Sequence, residues 1–217
     1  MAYNYICSHN IKNDQSNAFW REKMDFTQLF LQRHDVLHDF FLEEYWKTVP
    51  EELMRKRPHP GVNSIAWILW HLTRVEDAGL NLFVTEGTQI LDEGKWMERL
   101  TIPWRDNGGG MNFTEVDDLS VRIDLQALHD YSKAVRVRTN KIVNGISKVD
   151  LDAKLTPERA KVITVDEGLA HSGADQLAKW YTGWSKGKCL MIFGLTHPFE
   201  HVGEMGVIAS LLGIVFE

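Results

Sequence analysis

His197 and His201 stand four residues apart, a spacing that on a helix puts both imidazoles on one face, a turn apart. Two rings so placed suit two ligands of a single metal ion. A third histidine, His71, lies far upstream on a separate apolar segment. Each of the three falls on the apolar stripe of its own predicted helix, where an unpartnered imidazole is costly. Two readings follow. In one, a divalent cation shared between facing helices relieves that cost, as in many bundle cores. In the other, each ring is a core histidine bonded to a backbone carbonyl or a water. The chain has nine histidines, enough for such a pair to arise by chance. His34 and His38 repeat the spacing; they flank Asp35 and precede Asp39 on a helix otherwise marked by phenylalanines. A one-sided polar face is the simplest account of that second pair, with groove lining or a second metal site as alternatives.

Three neutral imidazoles leave at least one coordination position open, the layout of a catalytic rather than a structural site. Zn²⁺ and Ni²⁺ come first for such a set, and Fe²⁺ and Mn²⁺ are compatible, because imidazole discriminates weakly among them. An open position can lower the pKa of a water toward 7, which gives a hydrolase. It can equally keep a low-molecular-weight thiol as thiolate, which gives a transferase or isomerase acting on a small-molecule substrate. Glu200 and Glu204 each follow a histidine by three residues. They are candidates to orient a ring or accept a proton, or else solvated helix-face acids. The order His197-x-x-Glu200-His201 differs from the zincin pattern, whose glutamate directly follows the first histidine, so a zincin-type protease is disfavoured. Cys7 and Cys189 have no context that marks a nucleophile; they read as a terminal free thiol and a small core residue.

These side chains need helices to position them. Apolar residues recur three or four apart over about 24–46, with Phe26, Phe30, Leu37 and Phe41 on the stripe. They recur again from an N-cap at Asn63 or Ser64 to about Thr85, with Ile68, His71, Val75, Ala78 and Leu82. A third stretch covers about 124–149, and a fourth about 188–212 reads Leu190, Gly194, His197, His201, Met205, Ile208 and Leu212. Strand-like alternation appears only in fragments such as 161–165. The pattern predicts an all-α four-helix bundle. About fifteen residues join the first two helices, which predicts neighbours. Nearly forty join the second and third, a length that fits a crossover spanning the bundle and parallel second and third helices. Residues 1–217 are therefore read as one domain with insertions at about 87–123 and 150–186, the latter with a short helix near 166–181. In the first insertion Trp96 and Trp104 are candidates to wall a pocket. The Gly108-Gly109-Gly110 run lacks the strand, lysine and helix start of a phosphate loop.

Composition narrows the classes further. With 217 residues, 44% hydrophobic and 25% charged, the chain is long enough to bury a core. Its formal charge of −6 argues against a general nucleic-acid binder. Two cysteines build no disulfide framework, the N-terminal residues lack a signal-peptide layout, and no apolar run reaches the roughly 20 residues a bilayer span needs. A soluble, cytoplasmic protein without membrane partners is expected.

The stretch Ser64-Ile65-Ala66-Trp67-Ile68-Leu69-Trp70-His71-Leu72 resembles the second helix of the DinB-like superfamily, an apolar segment with tryptophan that ends in a ligand histidine. His197-Pro198-Phe199-Glu200-His201-Val202-Gly203-Glu204 is similar to that family's last helix, where two histidines with three residues between them are followed by a glycine and, typically, a glutamine. The resemblance implies a bundle with parallel second and third helices and a metal held by His71, His197 and His201. It also implies thiol S-transfer as the first activity to test, ahead of metal-dependent hydrolysis or a non-catalytic, stress-related role, and it implies a homodimer. Two departures stand out: Glu204 replaces the glutamine, and Pro198 sits inside the predicted helix, where its missing N–H should kink the rod and tilt His197. The related iron oxygenases of sulfur-containing histidine betaine synthesis place an acid where this chain has Gly203 and carry a second large domain, so they fit poorly.

Overall fold

The computed structural model describes residues 25–216, and among them the only β contact is one isolated bridge between Lys154 and Ser185. Four long rods dominate. The first, α1, runs through Phe26–Asp35, a π-helical stretch Val36–Leu42 and Glu43–Thr48. It opens on a capping box, in which Asp25 accepts the Gln28 N–H and the Gln28 side chain accepts that of Asp25. It closes at Val49, which Pro50 forces into extended backbone. The second rod, α2, comprises Ile65–Ala78 and the π-helical Gly79–Val84, with Ser64 as N-cap. The third, α3, is Leu125–Gly145, capped by Asp124. The fourth, α4, joins Lys186–Met191, a π-helical Ile192–Thr196 and His197–Leu211. All four lie within a few residues of the sequence periods.

The backbones of α1 and α2 both pack against α3 and α4. The short connection between the first two rods had predicted neighbours. Instead its helical turn Glu51–Met54 helps carry the chain across the bundle, and α1 meets α2 mainly through side chains. Between α2 and α3, Arg74 bonds Tyr131, Thr139 bonds Glu76 and Arg138 bonds Asn81.

Sequence periodicity gave α2 a single apolar stripe, but every residue from Ile65 to Val84 is buried. Its polar residues persist inside because they are paired. Arg74 reaches the Asp77 carboxylate at 3.2 Å, Tyr131 at 2.9 Å, Gln89 at 2.7 Å and the Arg105 carbonyl at 2.7 Å. Asp77 in turn accepts the backbone N–H groups of Ile90 and Leu91. The central rod thus ties the first long connection to itself by charge-assisted bonds.

Neither long connection is structureless. The first contains Ile90–Glu93, Trp96–Leu100 and Phe113–Arg122. The second contains Lys148–Asp152, Pro157–Lys161 with a π-helical Val162–Asp166, and Ala174–Tyr181. The alternation at 161–165 is therefore helical. Pro157 sits in the first turn of its helix, where a missing N–H costs nothing.

The apolar interior falls into two clusters. Along α2, Ile65 to Leu72 belong to one and Val75 to Val84 to the other. Along α4, Phe193 and Leu195 lie in the second, Met205 and Ile208 in the first. His71, His197 and His201 occupy the boundary between them.

Candidate metal centre

Trp67 stacks on His71 one turn along α2, with ring centroids 4.7 Å apart and planes 9° from parallel. His71 Nδ1 donates to the Asn107 carbonyl. A carbonyl only accepts, so the proton sits on Nδ1 and the Nε2 lone pair of the neutral ring points into the bundle. His201 is fixed in the same way: its Nδ1 lies 2.6 Å from the Glu204 carboxylate, which also accepts a 3.0 Å bond from the Asn63 side chain. The Nε2 atoms of His71 and His197 face each other at 3.3 Å. One nitrogen from each of the three rings lies within 4.8 Å of the others.

Those distances suit a chelated cation. Two nitrogens each about 2.0–2.1 Å from a tetrahedral metal stand roughly 3.3 Å apart. Burial, reinforced by repulsion from His197, lowers the His71 pKa to about 3. Burial and His201 lower that of His197 to about 4. Both rings are therefore neutral at pH 7, the state a metal ligand requires. The bond from His201 keeps the Glu204 carboxyl below the usual carboxylate range despite partial burial. Such a carboxylate behind an imidazole fixes its tautomer and raises its basicity.

Pro198 does not break α4. The π-helical turn at Ile192–Thr196 immediately precedes it, and the rod resumes at His197 with φ −59° and ψ −45°. The wider turn absorbs the missing donor, so His197 stays on the helix face. Glu200 lies on the exposed side of α4, and neither bond to a ring Nδ1 described above comes from it.

The centre opens onto a cavity of about 520 Å³, a size typical of small-molecule sites. His71 and His197 form part of its wall, and Trp180, Tyr181, Trp184 and Phe193 supply aromatic surface. Asn107, Ser172 and Gln176 add neutral polar groups, and among the described residues no Lys, Arg, Asp or Glu lines it. Trp96 and Trp104 do not line this cavity: Trp96 is buried in the first cluster and Trp104 packs against it. The two wall tryptophans come from the second connection, where a short amphipathic segment ending at Tyr181 was the one available sign. Asn107 was not anticipated, because a backbone carbonyl leaves no mark in residue type. The glycine run explains its placement. Gly108 has φ +75°, and a Cβ there would stand 2.4 Å from the Trp70 ring, so only glycine lets this loop press onto α2.

His34 and His38 also correct their sequence reading. They do not form a polar surface face. His34 is fully buried, and both rings turn toward Glu76 on α2, with His34 Nε2 at 2.9 Å and His38 Nε2 at 3.3 Å from its two oxygens. The polar surface in that region comes from Asp35 and Asp39, which pair with Arg136. Cys189 is a buried core thiol whose pKa burial pushes up to about 12. Cys7 lies outside the described residues.

Helical rods that bring three imidazoles to one level form a bundle with a candidate metal-binding group. Residues 42–176, more than half of the chain, match the sequence profile of the DinB superfamily, and the chain belongs to that family. A solved structure described as the conserved protein of locus from Enterococcus faecalis is similar in fold, with a TM-score of 0.66 and 18% identity over 87% of this chain and 97% of that one. No curated protein matches. No helix among the described residues is long and apolar enough to cross a membrane.

Proposed function

We propose that the chain is a metal-dependent enzyme of small-molecule chemistry in which His71, His197 and His201 hold one divalent ion, Zn²⁺ or Ni²⁺ before Fe²⁺ or Mn²⁺. Its preferred activity is transfer of a low-molecular-weight thiol to an electrophile. The observation that carries this reading is the placement of two of the three rings in the wall of an uncharged aromatic cavity. When bound, the metal would lower the pKa of a thiol or a water in its open position. The chain's own residues do the rest. Asn107 fixes the tautomer of His71 and Glu204 that of His201, and Trp180, Trp184 and Phe193 receive the apolar body of the electrophile and exclude water.

Hydrolysis is the second reading. It calls for a group that passes a proton to the leaving atom, yet among the described residues no carboxylate or lysine lines the cavity. Glu204 is engaged behind His201, where it acts as a positioning residue. Glu200 would enter only if the α4 face it occupies met substrate. Thiol transfer needs no such group where the leaving group departs as a stable anion: the bound metal would supply the thiolate, whose proton passes to solvent, and the carbon–sulfur bond forms as the bond to the leaving group breaks. A non-catalytic metal-binding role would leave the cavity without a purpose.

In this reading the whole chain acts as one bundle unit, and both insertions serve the site. Residues 87–123 bring Asn107, and residues 150–186 bring the two tryptophans. The homodimer implied by the family draws support from exposed apolar residues on α1 and α4, Phe40, Val207 and Leu211. A cytoplasmic setting suits a thiol substrate.

Cobalt-substituted protein provides the test. Addition of a thiol should change its visible spectrum, and His201→Ala should abolish both the change and turnover. Spectra that stay constant with glutathione-, mycothiol- and bacillithiol-type compounds would remove the thiol reading and leave hydrolysis.

A further inference from the structure

The cluster of His34, His38 and Glu76 lies apart from the centre just described. His34 and His38 are one turn apart on α1, with ring centroids 4.4 Å from each other. Glu76 enters from α2 and presents one carboxylate oxygen to each ring. Around them, Asn140 Oδ1 lies 3.2 Å from His34 Nδ1, and the Thr139 hydroxyl donates to Glu76 Oε1 at 2.6 Å. The three side chains are between 0% and 9% exposed.

We propose that His34, His38 and Glu76 form a second divalent-metal site, independent of the three-histidine centre. Three observations converge on it. If the Asn140 side-chain oxygen accepts the His34 Nδ1 proton, the Nε2 lone pair of the neutral ring faces a carboxylate oxygen 2.9 Å away. Lone pair against carboxylate is repulsive, so either a proton on Nε2 or a metal ion lies between them. His38 Nε2 is a buried nitrogen with no hydrogen-bond partner among the described residues, and it lies 3.3 Å from the other oxygen of the same carboxylate. Finally, the nitrogen-to-oxygen distances of 2.9 and 3.3 Å match edges of a coordination shell whose bonds are about 2.0–2.2 Å.

Two imidazoles and one carboxylate are the donor set of many Zn²⁺ sites and of non-haem Fe²⁺. The carboxylate sets this site apart from the all-imidazole one, since it neutralises half of the ion's charge. Asn140 behind His34 and Thr139 behind Glu76 are the supporting partners that metal ligands usually have. His38 also lines a separate cleft of about 370 Å³, whose wall carries Asp39 and Glu43 together with Lys47, Lys133 and Arg136, while its Nε2 is buried away from solvent.

Metal stoichiometry of the purified full chain tests the assignment. The protein is stripped with chelator, reloaded with Zn²⁺, desalted and measured by plasma mass spectrometry. Wild type should hold two ions per chain, Glu76→Gln one, His71→Ala/His201→Ala one, and the combined variant none. A wild type that holds one ion and keeps it in Glu76→Gln overturns the proposal; the cluster is then a proton-filled ion pair. One ion that disappears in Glu76→Gln yet survives in His71→Ala/His201→Ala supports this site and removes the other. Should Glu76→Gln not fold, His38→Asn at the rim of the cleft takes its place. Cobalt titration of the wild type reads the same number, and saturation at one equivalent that His71→Ala/His201→Ala abolishes also overturns the assignment.

Discussion

His71 and His197 are separated by 126 positions in the chain, yet their Nε2 atoms stand 3.3 Å apart between α2 and α4. Nothing local brings them together. His71 is set by its stack on Trp67 and its bond to Asn107. His197 is carried by the rod that resumes after the π-helical turn. The lone pairs meet because two apolar clusters grip the same two helices on either side of the rings.

The Glu204 carboxylate behind His201 should govern metal affinity without touching the metal. Glu204→Gln is expected to weaken Zn²⁺ binding roughly 10- to 100-fold, the usual cost of losing such a partner, while the fold stays intact. His201→Ala should lose the ion from this centre altogether. Competition against a coloured chelator measures both. Equal affinity in Glu204→Gln and wild type would show that the 2.6 Å contact is incidental.

Asp77 holds Arg74, Tyr131 and two backbone N–H groups inside the protein. Asp77→Ala leaves a buried guanidinium without its carboxylate, which should cost about 3–5 kcal/mol. Urea unfolding gives the number. A loss below about 1 kcal/mol, the size typical of surface pairs, would mean that Gln89 and the Arg105 carbonyl suffice for Arg74.

At Gly79 the contact is steric. A Cβ there would meet the Phe193 ring at 2.5 Å, at the crossing of α2 and α4 beside the cavity. Gly79→Ala should destabilise the protein by about 1–3 kcal/mol through overpacking, despite alanine's better helix propensity. A thermal midpoint equal to or above wild type would show that Phe193 turns aside without cost.

His171 links the second long connection to the first. It lies 3.1 Å from Asp106 and 3.2 Å from Glu115, next to the loop that carries Asn107. Partial burial lowers its pKa, but the bond and charge of Asp106 and the charge of Glu115 outweigh that, and the pKa is raised above 6.5. A raised histidine pKa means that the folded state binds the proton more tightly. Its stabilisation is therefore complete below pH 6.5 and fades as pH rises through the folded value. Thermal melts should show wild type losing stability relative to His171→Gln as pH climbs from 6 to 8. Parallel curves for the two proteins would contradict the linkage.

Much of this was legible in the residues themselves. Helical period, N-caps such as Ser64 and Asp124, and stops such as Pro50 are local properties, and the four rods lie close to where those signals put them. The four-residue spacing of His197 and His201 fixes a shared face wherever the helix goes. Pairing across rods is different, because it depends on which faces meet. The same spacing in His34 and His38 predicts a polar surface face, yet α1 turns both rings onto Glu76. Arg74, Glu76 and Asp77 lie outside the apolar stripe of α2 yet are buried, since charge pattern alone does not reveal a rod enclosed on every side. Residue type and spacing determined which side chains carry chemistry and which helices hold them. Only the tertiary structure decided their partners, because a backbone carbonyl, a buried carboxylate or a cavity wall comes from segments far apart in the chain whose meeting is set by packing.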